Sequence, residues 1–339
     1  MKRNIHLVGS MGLEDTPTVF RSLAKHLGER AKRYPDGETG KRYYWIRWQQ
    51  GIFEQHDQFE RVEQAERYRP GATLPYFRVV EGLKPQEVSI DTLGYADAAI
   101  ASYAVFTDLK TQGVIPTATR FQVSLPTPVA VITSFILREQ QGWIEPVYER
   151  TMLRELSRIT GAIPHDQLAI QWDVCHEVLA QDGALKLHYD EVLDKTLERL
   201  ERLGASVPEG AELGYHLCYG DPGHKHIQEP TDTDTAVAFA NGIAARSTRQ
   251  VNWIHLPVPR ERDDAAYFAP LRALALRPET ELILGLVHYT DGVEGTRRRI
   301  ATAEDIVSDF AIATECGFGR RPAETISELL RIHAQVADG

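Results

Sequence analysis

Glu212-Leu213-Gly214-Tyr215-His216-Leu217-Cys218 is a short apolar run, followed by a helical pattern over residues 234–245 and a second apolar run, Val251-Asn252-Trp253-Ile254-His255-Leu256. Strand, helix and strand in that order read as parallel pairing through a helical crossover. The unit recurs in both directions. Upstream, strands are expected at residues 5–8, 31–34, 119–125 and 168–174, with helices at 18–27, 92–112, 145–160 and 189–203. Downstream, strands at 281–288 and 311–316 alternate with helices at 263–276, 302–310 and 323–336. Eight strand signals, most followed by a helix, predict an α/β protein of the (β/α)8 TIM-barrel class. The competing open doubly wound sheet is weakened because no Gly-x-Gly-x-x-Gly follows any strand. Regularity breaks after Asp36-Gly37-Glu38, so residues 40–116 are expected to form a partly helical excursion after strand 2 of a single domain spanning 1–339.

Composition narrows the function. Of the 339 residues 42% are hydrophobic, which supplies a sizeable core without any apolar run long enough to span a bilayer. The net charge of −10 disfavours phosphate backbones, and no basic tract exceeds Arg297-Arg298-Arg299, so neither nucleic acid nor membrane is an expected partner. Cys175, Cys218 and Cys316 are too few for a disulfide framework and are expected as free thiols in the cytoplasm.

Barrel chemistry gathers at the C-terminal ends of the strands. Those ends carry Glu38, Asp173, His216 with Cys218, His255, His288 and Cys316. On a strand, i and i+2 share a face, so His216 and Cys218 project together, and Cys316 at the last strand end can reach the same volume. One imidazole and two thiolates suit Zn²⁺ with a position left open. The same cysteines could equally be inert buried thiols. Cys175-His176-Glu177 is expected to pack at a helix start. Tyr43, Tyr44, Trp45 and Trp48 either line a pocket or pack the excursion onto the barrel.

Gly214-Tyr215-His216-Leu217-Cys218-Tyr219-Gly220-Asp221 resembles the zinc-binding strand of cobalamin-independent methionine synthases, and Cys316-Gly317-Phe318-Gly319 resembles that family's final Cys-Gly motif. Gly285-Leu286-Val287-His288-Tyr289-Thr290-Asp291-Gly292-Val293-Glu294, Asp36-Gly37-Glu38 and Ile170-Gln171-Trp172-Asp173 are similar to further segments of it, in the family's order. The length is similar to the single-barrel branch, which includes epoxyalkane:coenzyme M transferases. The resemblance implies a zinc-dependent methyl- or alkyl-transferase that activates a small-molecule thiol as a zinc thiolate. Its metal ligands would be His216, Cys218 and Cys316. His255 or His288 would be the catalytic acid, and Glu38, Asp173, His224 and Asp291 would contact substrate.

The sequence also departs from that pattern. The family's Glu zinc ligand at the end of strand six is absent, and His255 is the ligand-capable side chain there. The Asp-Glu pair of the fourth strand is Asp173-Val174, which puts an amino-acid thiol in doubt. His288 lies two places earlier than the family's histidine. His224 and His226, on the loop after the zinc strand, suit an anionic group or a proton shuttle. A zinc-dependent lyase or decarboxylase of a small acid, similar to the related uroporphyrinogen decarboxylase group, therefore stays open. So does a non-catalytic zinc barrel serving a partner protein.

Overall fold

A computed structural model describes residues 2–63 and 73–338. After α1 (Thr16–His26), whose first turn is capped by Asp15, the chain forms β1 (Arg33–Pro35). Next come α2 (Gln50–Glu54), an antiparallel pair β2 (Phe59–Val62) and β3 (Tyr76–Val79), and α3 (Tyr95–Thr111). From there strands and helices alternate: β4 (Arg120–Pro126), α4 (Pro128–Phe135), α5 (Arg138–Ala162), β5 (Leu168–Val174), α6 (His176–Gln181) and α7 (Val192–Ala205). They continue as β6 (Glu212–Leu217), α8 (Asp234–Arg246), β7 (Trp253–Pro257), α9 (Ala265–Phe268), β8 (Glu281–Val287), α10 (Gly292–Glu304), β9 (Ala311–Thr314) and α11 (Ala323–Ala337).

Seven of the strands form one curled parallel sheet in the order β1-β4-β5-β6-β7-β8-β9. Residues 4–11 run between its two edges. Ile5 bridges Ala31, next to β1, and Ile312 of β9, both in the parallel sense. The strand expected at residues 5–8 is thus present as single bridges, not as a ladder. Side chains satisfy much of this backbone. The carbonyls of Leu7 and Val8 accept bonds from Gln122 Nε2 (2.9 and 3.1 Å), and Val8 also accepts from Gln171 Nε2 (2.7 Å) and Ser124 Oγ (2.9 Å). Those carbonyls are thus satisfied from inside the sheet.

At the N-terminal end of the sheet, Trp253 lies among Ala169, Ile283, Ala311 and Ala313, one large ring among mostly small side chains. Gly214 completes this layer, since a Cβ there would overlap the Trp253 indole. The Arg33 guanidinium sits 4.0 Å over the same ring.

Two helix expectations are corrected. Residues 302–310 are not the helix after β8; α10 occupies 292–304 and residues 305–310 turn into β9. Its buried face is Gly295, Thr296, Arg299, Ile300 and Ala303, which has little apolar periodicity. Residues 263–276 hold only α9 and a 3-10 turn (Ala269–Ala273), because Pro270 removes a backbone donor. Unforeseen was α4, capped by Thr127 with Pro128 in its first turn and buried throughout. Within the expected excursion, α3 packs against α1, α5 and β4, and Gln49 bonds the Leu93 carbonyl and the Tyr148 hydroxyl of α5. Among the described residues no helix is long and apolar enough to cross a membrane.

Candidate metal centre

The register of the central strands sets up the site. Asp173 on β5 is level with His216 on β6, and His216 is level with His255 on β7. Residues level across parallel strands point to one side, so these three share a row. Cys218 and Cys316 follow just beyond β6 and β9. The ligand atoms of His216, Cys218 and Cys316 lie within 4.8 Å of one another, and the two sulfurs are 3.7 Å apart.

Hydrogen bonds fix which nitrogen of His216 faces the thiols. The Thr314 carbonyl can only accept, so His255 donates to it through Nε2 (3.0 Å). Burial holds His255 down to about 3, so its ring is neutral and Nδ1 keeps a lone pair. That lone pair lies 2.7 Å from Nδ1 of His216, which must donate to it. Burial and the neighbouring His255 hold His216 well below the usual histidine range too. Its Nε2 is left as a buried lone pair with no protein partner. An imidazole whose second nitrogen is held by a protein acceptor is the usual arrangement of a metal-binding histidine.

The thiols complete the argument. The Cys175 thiol and burial push Cys218 up, and the Cys218 thiol and burial push Cys316 up, so the crowded sulfurs hold their protons when no cation is near. A divalent ion among them reverses that balance. A buried orphan nitrogen beside two sulfurs is a soft-to-borderline donor set that fits zinc.

The centre opens on a cavity of about 230 Å³ whose walls include Glu38, Tyr44, Trp45, Asp173, Cys175 and Arg320. Asp173 accepts from Gln171 Nε2 (2.9 Å) and Trp45 Nε1 (3.2 Å); burial nonetheless raises it to about 7. Burial and the Asp173 charge raise Glu38 to about 8. Glu38 and Trp45 both have left-handed backbones, at φ 47° and 52°. Such strain persists only where the surroundings impose it. Here the Glu38 amide donates to Asp36 Oδ1 (2.9 Å), and Arg42 (2.7 Å) and Ser102 (2.6 Å) hold Asp36. Gly9 leaves room, since a Cβ there would meet the Glu38 carboxyl.

Of the expected site residues, Glu38, Asp173, His216, Cys218 and Cys316 come together on this cavity, whereas His224, His255, His288 and Asp291 are not among its lining residues. With both nitrogens engaged by protein, His255 has none left to act as an acid on substrate. His288 donates through Nε2 to the Val258 carbonyl (2.9 Å), with Nδ1 3.6 Å from Glu315. Asp291 binds Arg299 through both oxygens (2.6 and 2.9 Å). His224 Nδ1 is 3.4 Å from Asp221, which also pairs with Arg320 (3.0 Å). His226 lies between Glu229 (3.0 Å) and Glu315 (3.1 Å), which raise it to about 10 although burial acts the other way. Sequence reasoning missed Arg320 and Glu315, which flank the Cys316 motif, and set Cys175 aside as helix-start packing. Cys175 does precede α6, but its side chain is on the cavity wall.

No family model matches the sequence, and no curated protein matches it. Among solved structures the chain is similar to a B12-independent methionine synthase from Shewanella sp. W3-18-1, determined in complex with selenomethionine. The TM-score is 0.57 at 15% identity, over 83% of this chain and 75% of that one. At such identity the likeness is one of fold: the chain has a methionine synthase-like α/β fold.

Proposed function

We propose that the protein is a cytoplasmic zinc-dependent methyl- or alkyl-transferase whose acceptor is a small-molecule thiol. In this reading residues 4–11 serve as the eighth stave of a (β/α)8 barrel, and His216, Cys218 and Cys316 hold the metal at its mouth. The observation that carries it is the buried, unpartnered Nε2 of His216 beside two thiols at a cavity. Zinc, when bound, keeps a thiol in its reactive thiolate form near neutral pH. His255 acts as a positioning residue that fixes the His216 tautomer. Asp173, held by Gln171 and Trp45, orients the substrate. Glu38 keeps its proton up to about pH 8 and sits on the cavity wall, so it is the group best placed to protonate a leaving group. Trp45 and Tyr44 supply aromatic wall to the cavity.

Metal analysis together with a thiol-alkylation assay tests this reading. The wild type should bind one zinc per chain, and Cys218→Ser should lose both metal and activity, because a serine hydroxyl hardly ionises. Full zinc occupancy in Cys218→Ser would overturn the assignment.

A further inference from the structure

Three protein donors leave a fourth corner of a zinc tetrahedron to be filled. The walls of the cavity offer Glu38, Asp173 and Cys175. Both oxygens of Asp173 are taken by Gln171 and Trp45. The Glu38 carboxyl is held among the charges of Asp173, Arg42 and Asp36. Cys175 is different. Val174 pairs with Leu217, and the Cys218 amide donates to the Val174 carbonyl at 3.0 Å, so the next residues on the two chains, Cys175 and Cys218, are neighbours. Cys175 is 4% exposed, its thiol interacts with that of Cys218, and its carbonyl accepts from the Leu179 amide at 3.0 Å, which anchors its backbone at the strand end. The second observation that points to a ligand is the orphaned Nε2 of His216, in a residue 2% exposed, on the same wall.

We propose that Cys175 is the fourth protein donor of the resting centre and gives way to an incoming thiol. The inference rests on the zinc reading above. His216, Cys218 and Cys316 come within 4.8 Å of one another and Cys175 stands outside that group, so it is the donor that an incoming thiol would replace with least disturbance of the other three. A thiolate also matches the softness of the set better than either carboxylate on the cavity wall. In the exchange the S–H bond of the incoming thiol breaks, its sulfur takes the place of Cys175 on the metal, and Cys175 takes up the released proton as a thiol. Charge and atoms balance with no proton lost to solvent.

X-ray absorption at the zinc edge counts the sulfur neighbours directly. The zinc-loaded wild type should show three sulfurs and one nitrogen, and Cys175→Ser and Cys175→Ala should each show two sulfurs at full occupancy. Serine keeps the volume and alanine does not, so agreement between them separates ligation from packing. Selenocysteamine added to the wild type should place one selenium on zinc and reduce the sulfur count to two. In Cys175→Ala the selenium should enter with the count unchanged. Two sulfurs in the wild type, or identical spectra in all three proteins, would overturn the inference while leaving the three-donor site intact. Selenium that never enters the wild type would overturn the displacement. A wild type that binds no zinc, or binds it without sulfur, would overturn the reading beneath it.

Discussion

His255 shows how much one ring can decide without itself donating to a metal. It accepts from His216 and donates to the Thr314 carbonyl, so His255→Ala frees the His216 ring to adopt the other tautomer. Zinc affinity measured by chelator competition should fall about 10–100-fold, with one zinc still bound at saturation. Unchanged affinity would remove the positioning role. Glu38 should titrate within an accessible pH range. In the metal-free protein its carboxyl is raised by burial and Asp173 from the ordinary 4.5 to about 8. Below about pH 4.5 it is protonated folded and unfolded; between about 4.5 and 8 the unfolded chain ionises while the folded chain keeps its proton. Its contribution is therefore fully present at low pH and is lost as the pH rises through about 8. Glu38→Gln should flatten the fall in urea midpoint between those values, and an undiminished slope would show that Glu38 does not cause it. The His216–Cys218 pair was legible because i and i+2 on a strand share a face. The pairing of His255 with His216 was not legible, because it depends on the register of β6 and β7, which no spacing in the chain encodes. The same blindness hid Cys175.

Elements were legible where burial is apolar and illegible where something else is buried. The strands β5, β6 and β8 are buried almost throughout, with apolar residues in the majority, and stand close to where they were expected. α10 was not read, because its inward face presents Gly295, Thr296 and Ala303 with one large apolar residue, Ile300, and Arg299, whose fully buried guanidinium binds the carbonyls of Leu286 (2.8 Å) and Arg260 (2.7 Å) and the Asp291 carboxylate. The element prediction falls on β6. Gly214 is there because Trp253 fills the space a side chain would need. Gly214→Val forces the indole off its rotamer and away from Arg33, and should destabilise the protein by about 1–3 kcal/mol in urea unfolding. Trp253→Leu in the same background should recover part of that loss. If the double variant is no better than the single, the two residues do not compete for one volume.

At the scale of the molecule, alternation was enough to foresee a parallel sheet, but not how its edges meet. Between those edges, residues 4–6 make backbone bonds to both sides, and the glutamine side chains at 122 and 171 reach the backbone of residues 7 and 8, a contact between distant segments. One continuous core cluster includes Ile5, residues of every sheet strand and Ala337, and the Arg3 amide bonds the Ala337 carbonyl at 2.8 Å. A core of that extent should unfold as one unit, so we expect a single transition by fluorescence and by circular dichroism. Two separated transitions would mean that parts of the chain fold independently. The metal gives the sharper test. Cys218 and Cys316 lie 98 residues apart, and only the folded sheet brings both to His216. On the proposed assignment zinc should bind the native state far better than the unfolded chain and stabilise it by about 4 kcal/mol when free zinc is a thousand times Kd. The urea midpoint of the wild type should rise with zinc, while that of Cys218→Ser should stay where it is. A wild-type midpoint indifferent to zinc would mean that these three side chains, however close, do not act together on a metal.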